Sequence, residues 1–294
     1  HLPVNIREGQ WDNLVRVISA YLPGNMKSGL LEVDIGGEHR SVTLARNGYF
    51  HLRFNGIHVP NGVPEPRYHF FRKNIMHNVH IPEHYSRSIS HFKEFSTGIV
   101  SDIDDTILVS HTRNWMKKLR QLLAKNAYRR KAVTEMASLY QKMKKRNMHL
   151  FYVSNSEANL YPMIHLFLHY HGFPEGPVFL KPYKKWNEIL SKETPNTRSR
   201  HKIEKIEGIF SLFRNNNFIL IGDDSRRDPE IYWKIARENP GRVSCIFIRQ
   251  TGKTPSLRAR KTSDEIGKNP LTKFVYFRSP AALEEIIEDG DLLK

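Results

Sequence analysis

Short apolar runs alternate with stretches of helical periodicity from about residue 91 to the end of the chain. The apolar runs predict five strands: Gly98 to Ile103, Leu150 to Val153, Phe218 to Ile221, Val243 to Ile248 and Phe274 to Phe277. Helical periodicity predicts six helices: 112–126, 131–146, 158–171, 201–213, 229–238 and 280–288. Buried strands separated by helices predict a parallel α/β sheet. Such sheets bind ligands at the carboxyl ends of their strands, so the residues that follow each strand are candidates for chemistry.

The first ninety residues show a different pattern, in which apolar and polar positions alternate between turn residues. Leu31 to Ile35 and Arg40 to Leu44 flank a Gly-Gly pair, which predicts a hairpin. Further strands are predicted at Phe50 to Phe54 and Asn78 to Ile81, on either side of a Pro-rich linker. We therefore expect two domains: a small β-sandwich-like domain without a catalytic constellation over residues 1–90, and a catalytic domain over 91–294.

Composition restricts the partners of the chain. Its 294 residues include 46 Lys and Arg against 30 Asp and Glu, a formal charge of +16 that favours nucleic acid, acidic lipid or a phosphorylated substrate. The 16 Phe and 12 Tyr exclude a disordered chain. No run approaches the roughly 18–20 apolar residues that span a bilayer. Cys245 is the single cysteine, which excludes an intrachain disulfide and a thiolate zinc cluster and is typical of a reducing compartment.

The first strand of the parallel pattern leads into an acidic sequence, S-D-I-D-D-T over residues 101–106. Each carboxylate in this sequence raises the pKa of its neighbours unless a cation neutralises the group. Mg²⁺ is the natural cation, since it prefers hard oxygen ligands. An acidic turn that caps the next helix is the alternative. A strand followed by D-x-D-x-T is nevertheless much rarer than a lone acidic pair, which favours the metal site.

A second acidic turn follows the strand Phe218 to Ile221. Gly222 permits a tight turn, and Asp223 and Asp228 can converge on a metal ion from the carboxyl end of the strand. A surface turn is the alternative when this motif is taken alone. The two acidic strand ends taken together favour a shared metal site.

Two further positions are candidates for holding a phosphate group. The strand Leu150 to Val153 leads into Ser154 and Asn155, whose hydroxyl and backbone amides suit a phosphoryl group, although such residues are more often simple N-caps. Lys202 lies where a helix is predicted to begin, and a lone lysine there is more often a solvated side chain. Their order along the chain is what makes both positions informative.

That order of motifs resembles the haloacid dehalogenase (HAD) phosphohydrolase superfamily over residues 98–250: DxDxT, Ser after a second strand, Lys at a helix start, and GDxxxxD after a third strand. The resemblance implies a HAD-like Rossmannoid parallel sheet. The short spacing from Asp102 to Ser154 leaves room for a small cap or none.

The HAD resemblance also implies a mechanism and a set of roles. Asp102 would attack phosphorus and form an aspartyl-phosphate, while Asp104 would protonate the leaving alkoxide and then help to activate water. The implied phosphate-binding residues are Thr106, Ser154, Asn155 and Lys202, of which Lys202 is also counted as catalytic. The implied Mg²⁺ ligands are Asp102, Asp104 through its backbone carbonyl, Asp223 and Asp228.

Longer stretches resemble one branch of the superfamily, the actin-patch-type phosphatidate phosphatases of fungi and their bacterial relatives. The matching stretches are 98–107, 152–156 with 159–161, 222–232 and 246–249, and the N-terminal β region with 47–50 is also similar. This resemblance implies hydrolysis of phosphatidate to diacylglycerol and phosphate. Two departures from the branch are Asp224, where a small residue is usual and which would alter metal geometry, and Asn-Ser-Glu-Ala at 155–158, which would change the substrate pocket.

A basic segment follows the first acidic motif. Residues 111–150 hold twelve Lys or Arg and a single acidic residue. Trp115 and later apolar residues recur at helical spacing with Lys117, Lys118 and Arg120 between them, a pattern suited to an acidic membrane surface that carries phosphatidate. The commoner alternative is that the apolar stripe packs on the sheet while the charged side chains face solvent. Packing on the sheet and membrane contact both hold if the charged face contacts lipid. Nucleic acid competes for the same surface, but no dedicated nucleic-acid module is recognised.

We therefore expect a Mg²⁺-dependent phosphatidate phosphatase that is cytoplasmic and in peripheral contact with membranes. The alternatives are a HAD phosphatase for a nucleic-acid end, a phosphoprotein or a soluble metabolite, and a non-enzymatic lipid-binding scaffold. The intact pair of Asp102 and Asp104 argues against the scaffold. No secretory signal is recognised in the sequence, which begins at His1 as a trimmed chain would, and no pattern indicates an oligomeric state.

Overall fold

The fold is seen in a computed structural model, and the structural statements below concern the residues that it describes. These are 29–44, 52, 54, 66–73, 75–78, 95, 97–104, 106–107, 135–182, 195–252, 254–267 and 271–288. Two sheets occur within these ranges, one antiparallel and one parallel.

The antiparallel sheet comes from the N-terminal region and has the order β2-β1-β3-β4. Its strands are β1 (Leu30–Ile35), β2 (Glu38–Thr43), β3 (Arg67–Arg72) and β4 (Ile75–Asn78). The predicted first hairpin is confirmed, and its turn residues Gly36 and Gly37 have φ of 57° and 86°, the left-handed region that favours glycine. Leu31, Val33 and Leu44 form its buried face.

The remaining N-terminal predictions have mixed outcomes. β3 was missed, because its sequence RYHFFR does not alternate cleanly, and the strand predicted at Asn78 to Ile81 begins where β4 ends. Most of Phe50 to Phe54 lies outside the described residues. A sandwich needs a second sheet facing the first, and the described part of this region forms one sheet, so the sandwich and the domain limits stay predictions.

Six strands form the parallel sheet, in the order β10-β9-β8-β5-β6-β7. They are β5 (Thr97–Ser101), β6 (Met148–Glu157), β7 (Val178–Lys181), β8 (Asn217–Asp223), β9 (Val243–Arg249) and β10 (Lys273–Phe277). The predicted α/β class is therefore confirmed. When these six strands are renumbered 1 to 6 along the chain, their order is 6-5-4-1-2-3, which is the doubly wound order. The chain builds the sheet outward from β5 to β7 on one side, and then from β8 to β10 on the other side of β5. The crevice between the carboxyl ends of β5 and β8 is the place where ligands bind in such folds.

Helices connect and cover the parallel strands. They are α1 (Met136–Lys145), α2 (Tyr161–Tyr170), α3 (Pro195–Leu212), α4 (Asp228–Glu238), α5 (Leu257–Ile266) and α6 (Pro280–Glu288), and a 3₁₀ turn at Ala158–Leu160 precedes α2. Residues 108–134 and 183–194 lie outside the described residues. The helix predicted at 112–126 falls in the first of these ranges and stays a prediction, as does the small cap.

The sequence pattern missed β7 and α5. β7 has only four residues, which is too short for a clear apolar run. α5 is mostly polar and buries a narrow stripe, Ala259, Thr262 and Ile266, so its periodicity is weak. α3 also begins six residues before its predicted start.

Two cores pack on opposite faces of the parallel sheet. Neighbouring residues of β5 show this alternation, since Ile99 belongs to one core and Val100 to the other. The preceding residue of β5, Gly98, has to be glycine, because a Cβ there would collide with the ring of Phe218 on β8. Since both faces of the sheet are packed, the strand ends that carry the acidic motifs are held in place.

Candidate active site

Three acidic side chains meet where β5 and β8 end. Asp102 follows the last residue of β5, Asp223 ends β8, and Asp228 begins α4. The backbone N–H of Asp102 donates to the carbonyl of Ile221 at 2.8 Å, which keeps the two strand ends in register. One oxygen from each carboxylate lies within 4.8 Å of the other two, and all three residues are buried. The structure thus brings together three of the predicted metal ligands.

Gly222 makes this convergence possible. A Cβ at this position would lie 2.5 Å from Asp228 Oδ2 and 2.7 Å from the ring of Tyr232. No side chain fits there unless Asp228 or Tyr232 moves. The sequence predicted a turn role for Gly222; the structure adds that its missing side chain leaves the space that Asp228 fills.

Lys202 supplies the positive charge of the cluster. Its Nζ donates to Asp102 Oδ1 at 2.9 Å and to Asp228 Oδ1 at 2.6 Å, and the residue is only 1% exposed. Burial acts to lower the pKa of Lys202, but the attraction of the Asp102 and Asp228 carboxylates outweighs it and holds the pKa well above its ordinary value. The solvated alternative for Lys202 is therefore wrong.

The cluster is acidic even with Lys202 in place. Burial, opposed by Lys202 and assisted by the Asp228 and Asp104 charges, raises the pKa of Asp102 to about 7. Three carboxylates against one ammonium leave a formal charge of −2. Hard oxygen donors with this net negative charge, buried at the switch point of the sheet, suit a divalent cation such as Mg²⁺. A bound cation would lower the pKa of Asp102 again.

Asp104 lies beside this trio rather than within it. Its Oδ2 accepts hydrogen bonds from the hydroxyls of Ser154 at 3.3 Å and Ser156 at 3.2 Å. The side chain of Asp104 is not one of the three that converge, so its predicted ligand role rests on its backbone carbonyl and stays a prediction. Sequence reasoning missed Ser156, because nothing in the sequence marks the irregular part of β6 in which it lies.

Two polar atoms near these motifs have no hydrogen-bond partner among the described residues, namely Thr106 Oγ1 and Asn155 Oδ1. Thr106 is fully buried, and a buried hydroxyl without a partner is costly. Both residues were predicted to bind phosphate. The Thr106 hydroxyl can donate to a phosphoryl oxygen, whereas Asn155 Oδ1 can only accept and would need a donor group on a ligand.

The predicted role of Asp224 in metal geometry does not match its contacts. Its carboxylate accepts from the backbone N–H and hydroxyl of Thr251 at 2.8 and 2.7 Å, from the N–H of Ser256 at 3.2 Å and from the hydroxyl of Tyr276. Burial acts to raise the pKa of Asp224, but these donors outweigh it and lower the pKa. Asp224 therefore ties the segment between β9 and α5 to β8 and β10.

The predicted membrane-facing residues Trp115, Lys117, Lys118 and Arg120 lie outside the described residues, and so does Asp105. Among the helices that the structure describes, none combines the length and apolar character needed to cross a bilayer.

The doubly wound sheet with an acidic, lysine-containing site at its switch point defines the class of the domain: it is an α/β domain with a candidate metal centre. A family model described as "Phosphatidate phosphatase APP1, catalytic domain" matches residues 97–250, more than half of the chain. The chain belongs to this family. The resemblance drawn from its motifs is thereby confirmed.

Curated relatives match the same part of the chain. Phosphatidate phosphatase APP1 of Saccharomyces cerevisiae is 31% identical over 160 residues, which is 53% of this chain and 26% of the yeast protein. An uncharacterized protein of Schizosaccharomyces pombe is 26% identical over 152 residues, or 51% of this chain and 24% of that protein. The aligned part thus spans about a quarter of the length of these relatives.

Solved structures give partial overlaps. A D,D-heptose 1,7-bisphosphate phosphatase from B. bronchiseptica, complexed with magnesium and phosphate, has a TM-score of 0.40 at 12% identity and covers 66% of this chain and 99% of its own. A phosphoserine phosphatase in apo form has a TM-score of 0.38 at 13% identity and covers 66% of this chain and 98% of its own.

Proposed function

We propose that this protein hydrolyses phosphatidate to diacylglycerol and phosphate in a Mg²⁺-dependent reaction through an aspartyl-phosphate. The observation that carries the proposal is the buried contact of Lys202 with both Asp102 and Asp228 beside Asp223, in a domain of the phosphatidate phosphatase family. The charge of +16 supports an anionic lipid as the partner.

Asp102 is the proposed nucleophile because it ends β5 at the switch point and its carboxylate is held in place. Lys202 binds Oδ1 and fixes the orientation of the group. A carboxylate oxygen of Asp102 attacks phosphorus, a bond forms between them, and the bond from phosphorus to the ester oxygen breaks. The electron pair of that bond leaves with the ester oxygen of diacylglycerol.

Asp104 is the proposed general acid and base. Its proton passes to the leaving ester oxygen, which gives neutral diacylglycerol and an Asp104 carboxylate. Asp104 then accepts a proton from the water that attacks phosphorus. The bond from phosphorus to Asp102 breaks, which releases inorganic phosphate and restores the Asp102 carboxylate.

The remaining residues bind the phosphoryl group and balance its charge. Lys202 offsets the repulsion between the Asp102 carboxylate and a phosphate dianion, and Thr106, Ser154 and Asn155 bind phosphoryl oxygens. Asp102, Asp223, Asp228 and the Asp104 carbonyl would hold Mg²⁺. When bound, Mg²⁺ would neutralise charge at the phosphoryl oxygens.

The test is phosphate release from phosphatidate in mixed micelles beside release from 4-nitrophenyl phosphate. We expect Mg²⁺-dependent release from phosphatidate that saturates with its surface fraction and is lost in Asp102→Asn. Asp264→Asn, which changes an exposed aspartate of α5, is the matched control and should keep full activity. Activity on the aryl ester alone would reject the lipid substrate, and no activity on either ester would favour the scaffold alternative.

A further inference from the structure

Ser156 lies in an irregular part of β6 that carries the proposed phosphate-binding residues Ser154 and Asn155. β6 and β7 pair regularly at Val153 and Phe179, but their next paired residues are Glu157 and Lys181. β6 therefore has three residues where β7 has one, and residues 154–156 form a bulge. Bulges next to active sites redirect side chains that a regular strand would place elsewhere.

The bulge directs two hydroxyls to the same atom. Ser154 and Ser156 both donate to Asp104 Oδ2, at 3.3 and 3.2 Å, and the backbone N–H of Ser156 donates to Ser154 Oγ at 2.9 Å. Ser156 thus supports Asp104 directly through its hydroxyl and indirectly through its backbone. The two contacts can be separated by mutation, because only the hydroxyl depends on the side chain.

A hydroxyl bound to one carboxyl oxygen restricts the rotation of the carboxyl group. Ser154 has a single O–H, which a phosphoryl oxygen would take in the proposed reaction. The hydroxyl of Ser156 then remains on Asp104 Oδ2. Without it, the Asp104 carboxyl group loses a contact that holds its orientation.

We infer that Ser156 is a positioning residue, which orients the Asp104 carboxyl group for proton delivery to the leaving oxygen. The inference rests on the proposed function and deepens it. Ser156 does not contact the phosphoryl group in this role. Its importance therefore depends on how much the leaving group needs a proton.

The test varies the leaving group. Alkyl and phenyl oxygens leave poorly without a proton, whereas 4-nitrophenolate leaves readily as an anion. We expect Ser156→Ala to lower the single-turnover rate of leaving-group release by about tenfold or more on a short-chain phosphatidate and on phenyl phosphate, and by less than about twofold on 4-nitrophenyl phosphate. This rate is measured because the later hydrolysis of the aspartyl-phosphate is common to all three esters. Ser156→Thr keeps the hydroxyl and should restore most of the rate on the poor leaving groups.

Ser211→Ala is the matched control, since Ser211 is exposed near the end of α3 and donates only to a carbonyl of its own helix. It should leave all three rates unchanged. An equal loss of the single-turnover rate of leaving-group release on all three esters in Ser156→Ala, or no loss on any, would overturn the positioning role while leaving the hydrolase proposal in place. A wild-type protein that hydrolyses none of the esters would overturn both.

Discussion

Lys202 Nζ lies 2.9 Å from Asp102 Oδ1 although the two residues are 100 positions apart in the chain. The contact joins α3 to the end of β5 and is shared with Asp228 at the start of α4. Three elements that surround the switch point are therefore held by one buried ammonium group. This contact links the stability of the fold to the chemistry of the site.

Removal of the ammonium group should destabilise the fold as well as abolish activity. Lys202→Met leaves Asp102 and Asp228 buried without their cation, and breaking a buried ion pair in this way costs about 3–5 kcal/mol. We expect the free energy of unfolding in urea to fall by that order. A Lys202→Met protein with wild-type stability would show that the buried contact is not maintained in solution.

Mg²⁺ should stabilise the folded protein, because the acidic cluster exists only when β5, β8 and α4 are assembled. A ligand at 100 times its dissociation constant adds about 2.7 kcal/mol of stability. We expect Mg²⁺ to raise the melting temperature of the wild type, and Asp223→Asn to remove most of this rise. Asp264→Asn should retain it. The same rise in Asp223→Asn would place the Mg²⁺ site elsewhere.

Gly222→Ala should displace Asp228 and lower both stability and activity. The added Cβ would lie 2.5 Å from Asp228 Oδ2 and 2.9 Å from Asp228 Cβ, so the side chain of Asp228 must move and its contact with Lys202 is disturbed. We expect a loss of about 1–3 kcal/mol, measured by urea unfolding. Gly208→Ala in α3 is the matched control, since a Cβ there meets nothing within 4 Å. It should raise stability by about 0.5–1 kcal/mol.

Asp224→Ala should loosen the segment that follows β9. The substitution removes the charged acceptor of the exposed Thr251 and of the half-buried Ser256 and Tyr276, and the loss of hydrogen bonds to a charged group costs about 1–3 kcal/mol. Tyr276→Phe removes one donor and should cost less. A double-mutant cycle on these two positions should show coupling, and strict additivity of the two losses would contradict their contact.

Cys245 should be unreactive in the native protein. Burial raises the pKa of its thiol to about 12, although Lys273 and a backbone hydrogen bond act in the opposite direction. The thiolate that reacts with iodoacetamide is therefore scarce at pH 8, and the side chain lies in the core. We expect no alkylation of the native protein and complete alkylation in denaturant. Rapid native alkylation would indicate that β9 is exposed.

The sequence revealed the acidic strand ends because their signal is local. An apolar run followed by D-x-D-x-T or G-D-D places carboxylates at the end of a strand, and the doubly wound order then brings β5 and β8 together. Lys202 needed the family resemblance, since a lysine in a basic chain carries no signal of its own burial.

Other parts of the site could not be predicted, because they depend on contacts between distant residues. The bulge of β6 that directs Ser156 to Asp104 depends on pairing with β7, a strand too short to recognise. Asp224 was interpreted through its neighbour Asp223, but its donors lie 27 to 52 positions further along the chain. Only the folded sheet shows that these groups meet.

Detection of phosphate on Asp102 itself tests the proposed function most directly. The wild type is mixed with phosphatidate and Mg²⁺, quenched in acid during turnover and reduced with borohydride, which converts an acyl phosphate to an alcohol. We predict homoserine at position 102 by tandem mass spectrometry and none when phosphatidate is omitted. Turnover of phosphatidate with an unmodified Asp102, or full activity in Asp102→Asn, would contradict the assignment of Asp102 as the nucleophile.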